Sequence, residues 1–446
     1  MEQYTVGILF GSFFFLLLIG APITVSLAGA AMMAFLVLGK DPISFVQIAF
    51  TSVGKFPLMA LPAFVLAGAL MESAGISKRL VDVAEALAGP ATGGLGAATV
   101  LACLFFGAIS GSGPATTAAV GMLMIPAMVR RNYDLKYASA LTASAGGLGI
   151  IIPPSIPMVI FGISVLGMQP PSEAIALHGQ FQSVSISKLF IAGVVPGIVM
   201  AGALLVMNYL TSRKYGYAGL TEKWSGREIV GSLKRGVWSI FAPVIILGGI
   251  YAGIFTPTES AVVAIFYTLF VGIFLHRELT FGALLTSLRT TTWITGRVLL
   301  ILFAATVFGR LLVEQRIPAV IAGGLLDLTD NIYMIWALLI LFLLFVGMFM
   351  ETLAAIMILV PVLLPIMYML GADPTHVGIV LICSLSVGFM TPPLGENLFV
   401  ASGIGGASVE AIVSRIMPFV LAMTIAVFII AYFPSLSLWL PGVMGF

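Results

Sequence analysis

Two apolar segments of this chain are each broken in the middle by a pair of prolines, Pro153-Pro154 and Pro392-Pro393. Proline lacks an N–H and clashes with the carbonyl one turn earlier, so neither segment can continue as an unbroken helix. Each pair follows another apolar segment that glycine and hydroxyl residues interrupt, at 107–117 and at 347–352. Broken helices in corresponding places of two halves are the best sequence indication of a transporter's substrate and ion sites.

The composition excludes a soluble protein. Of the 446 residues, 60% are hydrophobic and 9% are charged, whereas soluble domains are about 25% charged. Apolar runs of 18 or more residues predict membrane helices, and here such runs fill most of the chain. The net charge of +2 suggests no nucleic-acid partner, and no His, Cys or carboxylate cluster has the ligand spacing of a transition-metal site. The apolar runs extend over about 5–38, 43–71, 94–129, 137–167, 188–210, 236–254, 257–275, 290–313, 332–370, 376–404 and 411–445.

Three of these runs are too long for one upright helix. We expect the first to tilt or bend near Gly20 and Pro22. The runs 94–129 and 332–370 contain an internal break, which favours re-entrant hairpins that enter and leave on one side of the membrane. Such backbone is tolerated at membrane depth only where protein or a water-filled cavity covers it.

Basic residues orient the predicted helices, because cytoplasmic loops carry the excess of Lys and Arg. The loop that follows 188–210 has six basic residues and is placed in the cytoplasm. The remaining basic clusters then put the first hairpin's open end inside and the second hairpin's open end outside. The two halves therefore have opposite orientations.

A shift of 239 residues superimposes the two halves. It places Pro153 on Pro392, Gly149 on Gly388 and Pro126 on Pro365, and brings Gly107 within one residue of Gly347. The match resumes at Pro196 and Pro418, after 17 extra residues in the first half around 169–182. Together with the opposite orientation, this set indicates an inverted repeat.

The breaks offer two kinds of ligand. Carbonyl groups freed from the helix, together with Ser and Thr hydroxyls, suit Na⁺, whereas half-helix N-termini donate N–H groups and suit a carboxylate. For a single proline pair, the alternative is a kink that binds no ligand. Two pairs at symmetric positions make this alternative weaker. Each hydroxyl also has the alternative of bonding its own backbone.

Charged residues inside the apolar runs are functional candidates. Glu351 and Glu396 can each pair with a buried base, face a water-filled cavity or take part in proton coupling. For Glu351 a cap on the following half-helix is the favoured interpretation. Glu259, three residues after Thr256, is interpreted as the second member of a capping box. Arg297 and Arg310 are expected to reach the interface or to pair locally.

Five motifs make the chain similar to a known family. Residues 107–121, 142–157, 253–261, 347–354 and 391–403 resemble the large membrane subunit of TRAP (tripartite ATP-independent periplasmic) transporters of the dicarboxylate type, and the resemblance runs from end to end of the chain. It implies a small four-helix membrane subunit and a periplasmic substrate-binding protein as partners, a sodium gradient as the driving force, and an elevator movement of the hairpin-bearing domain.

The resemblance also implies site residues. The first sodium site would use Gly107, Ser110, Gly149, Ile152 and Pro154. The second would use Gly347, Gly388, Thr391 and Leu394. The substrate would lie between the hairpin tips, near Ser112, Thr116, Thr352 and Asn397.

Two features depart from the family pattern. The segment 169–182 is longer than the resemblance implies and could alter docking of the binding protein. Glu396 stands where a small apolar residue is expected. It either disturbs a simple site for sodium and an anion or adds a group that recognises a cation or an amine.

The sequence therefore predicts an all-α polytopic membrane protein, an inverted repeat with two re-entrant hairpins and two broken helices in elevator-type scaffold and transport domains. The expected function is sodium-coupled, binding-protein-dependent import of a small organic acid across a bacterial or archaeal inner membrane, without an enzymatic activity or a cofactor. A stand-alone sodium- or proton-coupled organic-anion carrier is the alternative. The predicted divisions are 1–88 (N-terminal scaffold), 89–210 (transport repeat 1, broken at 149–155), 211–331 (basic loop and scaffold) and 332–446 (transport repeat 2, broken at 388–394, and last helix).

Overall fold

The computed structural model describes residues 2–54, 56–219, 224–317, 320–321, 323–324, 329, 331–393 and 395–446. Every regular element in these ranges is helical, which confirms the predicted all-α class. The α-helices are α1 (Glu2–Leu18), α2 (Ile23–Val37), α3 (Pro42–Val53), α4 (Ala60–Ser73), α5 (Ile76–Ala88), α6 (Gly94–Ser110), α7 (Gly113–Arg130), α8 (Leu135–Gly146), α9 (Ile156–Val165), α10 (Ser172–His178), α11 (Ile186–Tyr215), α12 (Gly226–Tyr251), α13 (Pro257–Phe270), α14 (Phe281–Glu314), α15 (Ile332–Phe349), α16 (Thr352–Met369), α17 (Pro374–Gly388), α18 (Glu396–Gly405), α19 (Val409–Tyr432) and α20 (Ser435–Val443). Short 3₁₀ turns cover Phe56–Met59 and Gly147–Ile150, and a π-helical turn covers Val271–Leu275.

The outer surface of this helical protein is apolar. Within the described ranges, seven helices are long and apolar enough to cross a membrane. Large apolar side chains such as Phe15, Leu300 and Phe266 are 62%, 60% and 68% exposed. Water disfavours so much exposed apolar surface, whereas lipid accepts it. The chain is a multi-pass membrane protein, as predicted.

The structure corrects the prediction for the first apolar run. One tilted or bent helix across 5–38 is wrong, because α1 ends at Leu18 and α2 begins at Ile23 and packs against α1. Between them Gly20 has a φ of +82°, a left-handed conformation that glycine adopts without cost. The run 43–71 likewise divides, into α3 and α4.

Both long runs are broken at the predicted places. In hairpin 1, α6 and α7 are separated by Gly111 and Ser112, and in hairpin 2, α15 and α16 are separated by Met350 and Glu351. Gly111 has a φ of +61° at the tip of hairpin 1.

The proline pairs also interrupt their helices as predicted. The chain leaves α8 through a 3₁₀ turn and a bend at Pro153-Pro154 before α9 begins, and leaves α17 through a bend at Pro392-Pro393 before α18 begins. Both Pro-Pro peptide bonds are cis. The described structure therefore has two hairpins and two broken helices, one of each in either half.

The two halves meet at equivalent positions. The Ser386 hydroxyl donates a hydrogen bond of 2.8 Å to the Gly147 carbonyl, and these two residues are 239 positions apart. That separation is the repeat offset found in the sequence, so Ser386 is the repeat counterpart of the residue that it contacts. A contact between repeat counterparts is expected at the pseudo-twofold axis that an inverted repeat implies, and here it joins the two broken helices.

Loop contacts agree with the orientation that the basic residues predict. Arg79 of α5 pairs with Glu278 at 2.8 Å and Arg415 of α19 with Asp134 at 3.1 Å, and each pair joins two segments assigned to the cytoplasmic side. On the opposite side, the His178 Nε2 lies 3.0 Å from the Met369 carbonyl. The extra segment of the first half, which forms α10, thus packs against the end of α16. Its effect on docking of a binding protein stays a prediction.

The long helix α14 lies between the N-terminal helices and hairpin 2. It packs against α2, α3 and α4 on one side and against α16 of hairpin 2 on another. At its end, Glu314 forms an ion pair with Lys40 and another, of 3.2 Å, with Arg310. This arrangement fits a scaffold built of the N-terminal helices and α14, although the predicted domain boundaries stay predictions.

We expect Ser386→Ala to lower the free energy of unfolding by about 1 kcal/mol, a typical value for one buried hydrogen bond. Denaturant unfolding of the purified protein in detergent measures it. Ser384→Ala is the matched control, because Ser384 is equally buried but bonds the Val380 carbonyl of its own helix at 2.7 Å. Equal losses in the two variants would contradict a stabilising contact between the halves.

Candidate functional site

Hydroxyl groups organise the tip of hairpin 1. The Ser110 and Thr116 hydroxyls are 2.7 Å apart, and Thr116 also donates to the Ser112 carbonyl at 2.7 Å. Ser112 begins α7 as its N-cap, since its Oγ accepts from the Ala115 N–H at 3.5 Å. Three hydroxyls and a carbonyl are thereby concentrated where α6 ends.

The broken helix of the first half lies directly against this tip. A Cβ added to Gly107 would be 3.0 Å from the Gly149 Cα, and one added to Gly149 would be 2.6 Å from the Ser112 carbonyl oxygen. A Cβ on Gly111 would likewise be 2.7 Å from the Pro154 carbonyl oxygen. Because each glycine lets two backbones approach, the structure brings together four of the residues predicted for the first sodium site: Gly107, Ser110, Gly149 and Pro154. Ile152 belongs to the same turn, but its side chain packs against Gly197 of α11.

The second half repeats this close approach. A Cβ on Gly347 would be 3.1 Å from the Gly388 Cα, and one on Gly388 would be 2.5 Å from the Gly347 Cα. The Thr391 N–H donates to the Gly388 carbonyl at 2.9 Å, and its hydroxyl donates to the Val387 carbonyl at 2.6 Å. Three residues predicted for the second sodium site, Gly347, Gly388 and Thr391, therefore lie together. Leu394, the fourth, lies outside the described residues.

A cavity of about 270 Å³ lies between the two hairpin tips and the helices α4 and α14. The first turns of four half-helices line it: Gly113 to Ala115 of α7, Ile156 and Pro157 of α9, Thr352 and Leu353 of α16, and Glu396 of α18. Each helix N-terminus carries a partial charge of about +0.5 from its peptide dipoles. The cavity is thus a place where four positive helix ends converge.

The four residues predicted to contact substrate occupy two depths. Ser112 and Thr352 line the cavity, whereas Thr116 and Asn397 are fully buried behind its wall. Asn397 joins the two halves, because its Nδ2 donates to the Ala143 carbonyl of α8 at 3.1 Å. The Thr352 hydroxyl and the Asn397 Oδ1 are buried without a hydrogen-bond partner in the described structure. Contact of these residues with substrate stays a prediction.

The favoured interpretation of Glu351 is wrong. Glu351 occupies the N-cap position of α16, but its side chain forms no capping hydrogen bond and instead accepts one of 2.7 Å from the Arg297 Nη2. Local pairing of Arg297 is therefore also wrong, while Arg310 does pair locally, with Glu314. Of the alternatives that the sequence left open for Glu351, pairing with a base is the one that the structure contains, but this base, Arg297, is 54% exposed rather than buried.

Comparison with known proteins decides the family. The sequence model of the protein family described as 'Tripartite ATP-independent periplasmic transporter, DctM component' matches residues 10–436. The chain belongs to this family. DctM components are transport permeases, which confirms that the chain is not an enzyme and confirms the TRAP resemblance of the five sequence motifs.

Relatives of this chain in the DctM family are named after different substrates. It is 35% identical to the C4-dicarboxylate TRAP transporter large permease protein DctM of Rhodobacter capsulatus, over 98% of this chain and 99% of that protein. It is 36% identical to the sialic acid TRAP transporter large permease protein SiaM of Vibrio cholerae, over 98% of both chains. It is 40% identical to the isethionate TRAP transporter permease protein DctMQ of Oleidesulfovibrio alaskensis, over 98% of this chain but 66% of that protein.

Solved structures share the fold of this DctM-family chain at low sequence identity. The YdaH transporter of Alcanivorax borkumensis is 14% identical and superimposes with a TM-score of 0.63 over 88% of each chain. MtrF of Neisseria gonorrhoeae is 16% identical with a TM-score of 0.59, over 88% of this chain and 83% of that one. Because the sequence identity is so low, these two transporter structures support only the assignment of the fold.

The sequence did not assign the scaffold side of the cavity in this DctM component. Glu72 of α4 and Trp293 and Arg297 of α14 all line it. Arg297 is a charge inside an apolar run, which was the available signal. No local pattern indicates that it reaches Glu351, which lies 54 residues further along the chain.

Proposed function

We propose that this chain is the large permease subunit of a sodium-coupled, binding-protein-dependent transporter that imports a small organic acid by an elevator mechanism. The convergence of four half-helix N-termini on one cavity carries the proposal. Backbone N–H groups and aligned peptide dipoles at such ends favour a carboxylate without requiring a free basic side chain.

Sodium coupling is supported by the oxygen groups at the two glycine contacts. Carbonyl and hydroxyl oxygens are suitable ligands for a hard cation such as Na⁺. In the first half they are the Ser110 hydroxyl and the Pro154 carbonyl, and in the second half the Gly388 carbonyl and the Thr391 hydroxyl. Each proposed ion site lies behind a hairpin tip, so an occupied site would order the tip that contacts substrate.

An elevator movement is supported by the position of the cavity. It lies between the hairpins and the scaffold side formed by α4 and α14. Three of the four lining residues of α4, Gly68, Ala69 and Glu72, lie in its C-terminal half, and those of α14, from Thr290 to Val298, lie between its second turn and its middle. The basic residues assign both of these helix portions to the cytoplasmic side, so we assign this structure to an inward-facing state.

The proposed partners are a small four-helix membrane subunit and a periplasmic binding protein, and the proposed location is an inner membrane. Uptake by proteoliposomes that contain both membrane subunits tests the assignment, with labelled C4-dicarboxylate and isethionate as the first probes. Uptake should require the binding protein and an inward sodium gradient. Uptake that needs neither would overturn the proposal in favour of a stand-alone carrier.

A single hydroxyl tests the second sodium site. We expect Thr391→Ala to raise the sodium concentration for half-maximal uptake by about tenfold, which corresponds to a loss of about 1.4 kcal/mol. Thr306→Ala is the control, because Thr306 also donates to the carbonyl four residues earlier in its helix, at 2.8 Å, but lies in α14 away from both breaks. Unchanged sodium dependence in Thr391→Ala would refute this site.

A further inference from the structure

The cavity has an excess of acidic groups. Its ionisable lining residues are Glu72, Arg297, Glu351 and Glu396, three carboxylates against one guanidinium. Arg297 is already paired with Glu351. A purely anionic substrate would find no free basic side chain in this lining and would face two further carboxylates.

Glu396 and Glu72 are the two lining carboxylates without an ion-pair partner among the described residues. Glu396 lines the same cavity as Glu351, and the single guanidinium there already pairs with Glu351. As the first residue of α18 it is stabilised by the dipole of that helix, but a single helix end supplies about half a charge. A ligand that brings a positive charge would complete its neutralisation.

A second feature of the same wall indicates a polar ligand. Thr352 lines the cavity, and its buried hydroxyl has no hydrogen-bond partner in the described structure. Buried polar groups are almost always hydrogen-bonded. The indole of Trp293 also lines the cavity, and an aromatic face attracts ammonium groups.

We propose that the transported acid also carries a cationic group, an ammonium or a quaternary ammonium, and that Glu396 binds this group. The proposal rests on the transport function proposed above and narrows its substrate to zwitterions. The four helix ends contribute a total of about +2, which offsets the formal charge of −2 on the lining side chains. A cavity near neutrality suits a ligand with no net charge better than a dianion.

Binding to the purified complex of the two membrane subunits tests this proposal without the selectivity of a binding protein. The probes are glycine betaine and β-alanine, which are zwitterions, and succinate, which is a dianion. Thermal stabilisation in detergent with sodium present measures apparent affinity. The wild type should bind a zwitterion more tightly than succinate.

Variants of Glu396 separate ligand binding from a structural role. We expect Glu396→Gln, which keeps size and shape, to weaken zwitterion binding by about tenfold or more and to strengthen succinate binding. Glu396→Asp should retain the zwitterion preference. Glu410→Gln, an exposed first-turn carboxylate of α19 away from the cavity, should change neither affinity. A structural role alone would lower binding of all probes together.

Three results would overturn the proposal: no stabilisation of the wild type by either zwitterion, equal or tighter binding of succinate, or an unchanged preference in Glu396→Gln. None of them affects the requirement for sodium and the binding protein in proteoliposomes. Failure of that requirement, with Glu396-dependent zwitterion binding retained, would instead overturn the tripartite assignment and leave the ligand class standing.

Discussion

Replacing Gly388 by alanine is expected to reduce uptake by about fivefold to about a hundredfold, because overpacking of this kind costs about 1–3 kcal/mol and about 1.4 kcal/mol corresponds to a factor of ten. The new Cβ would lie 2.5 Å from the Gly347 Cα and 2.6 Å from the Gly347 carbonyl carbon. Backbone atoms cannot move aside as the end of a flexible side chain can. Hairpin 2 and its broken helix must therefore separate, which displaces the oxygens proposed to bind sodium.

Gly149→Ala, the repeat counterpart, is expected to have a similar effect through the Ser112 carbonyl. Sodium-driven uptake and the amount of protein in the membrane should both be measured, so that lost activity is distinguished from lost protein. Gly403→Ala is the control, because a Cβ at this helical position meets nothing within 4 Å. Full activity of both Gly388→Ala and Gly149→Ala would show that the close approaches are dispensable for transport.

Arg297→Met is expected to produce the second large loss of uptake. It leaves the Glu351 carboxylate without its partner and removes the single positive side chain among the ionisable residues of the lining, where Glu72 and Glu396 are also carboxylates. Because the Arg297 side chain is 54% exposed, the free energy of unfolding should change little. The effect should appear in uptake, which depends on the charge in the cavity.

The double variant Arg297→Met/Glu351→Gln distinguishes this explanation from simple loss of packing, since removal of both charges should restore part of the uptake. Arg310→Met is the matched control on the same helix. Its partner Glu314 keeps a second cation, Lys40. Equal losses in Arg297→Met and the double variant would contradict a role for the unpaired carboxylate.

Local sequence rules predicted the features that depend on neighbouring residues. Thr256 and Glu259 form the expected capping box, with the Thr256 N–H donating to the Glu259 carboxylate at 2.8 Å, because both members lie within one turn. The proline breaks were predictable for the same reason, since the missing N–H and the steric clash act within one turn.

Features that depend on tertiary packing were not predictable in this way. The pairing of Arg297 with Glu351 requires α14 to lie beside hairpin 2, and no pattern in either segment specifies that neighbour. The separation of α1 from α2 depends on their packing against each other, because Gly20 and Pro22 are compatible with a bend as well as a reversal. The inverted repeat predicted that equivalent breaks exist, but not that Ser386 touches its own counterpart.

That contact has a mechanical consequence. A contact between repeat counterparts belongs equally to both halves, so any change in the contact between Ser386 and Gly147 reorients both broken helices at once. Each proposed ion site contains residues of one of these helices. A substitution at this contact is therefore expected to change the sodium affinity of both sites together. Variation that tunes one ion's affinity alone must lie away from the axis, towards the hairpin tips.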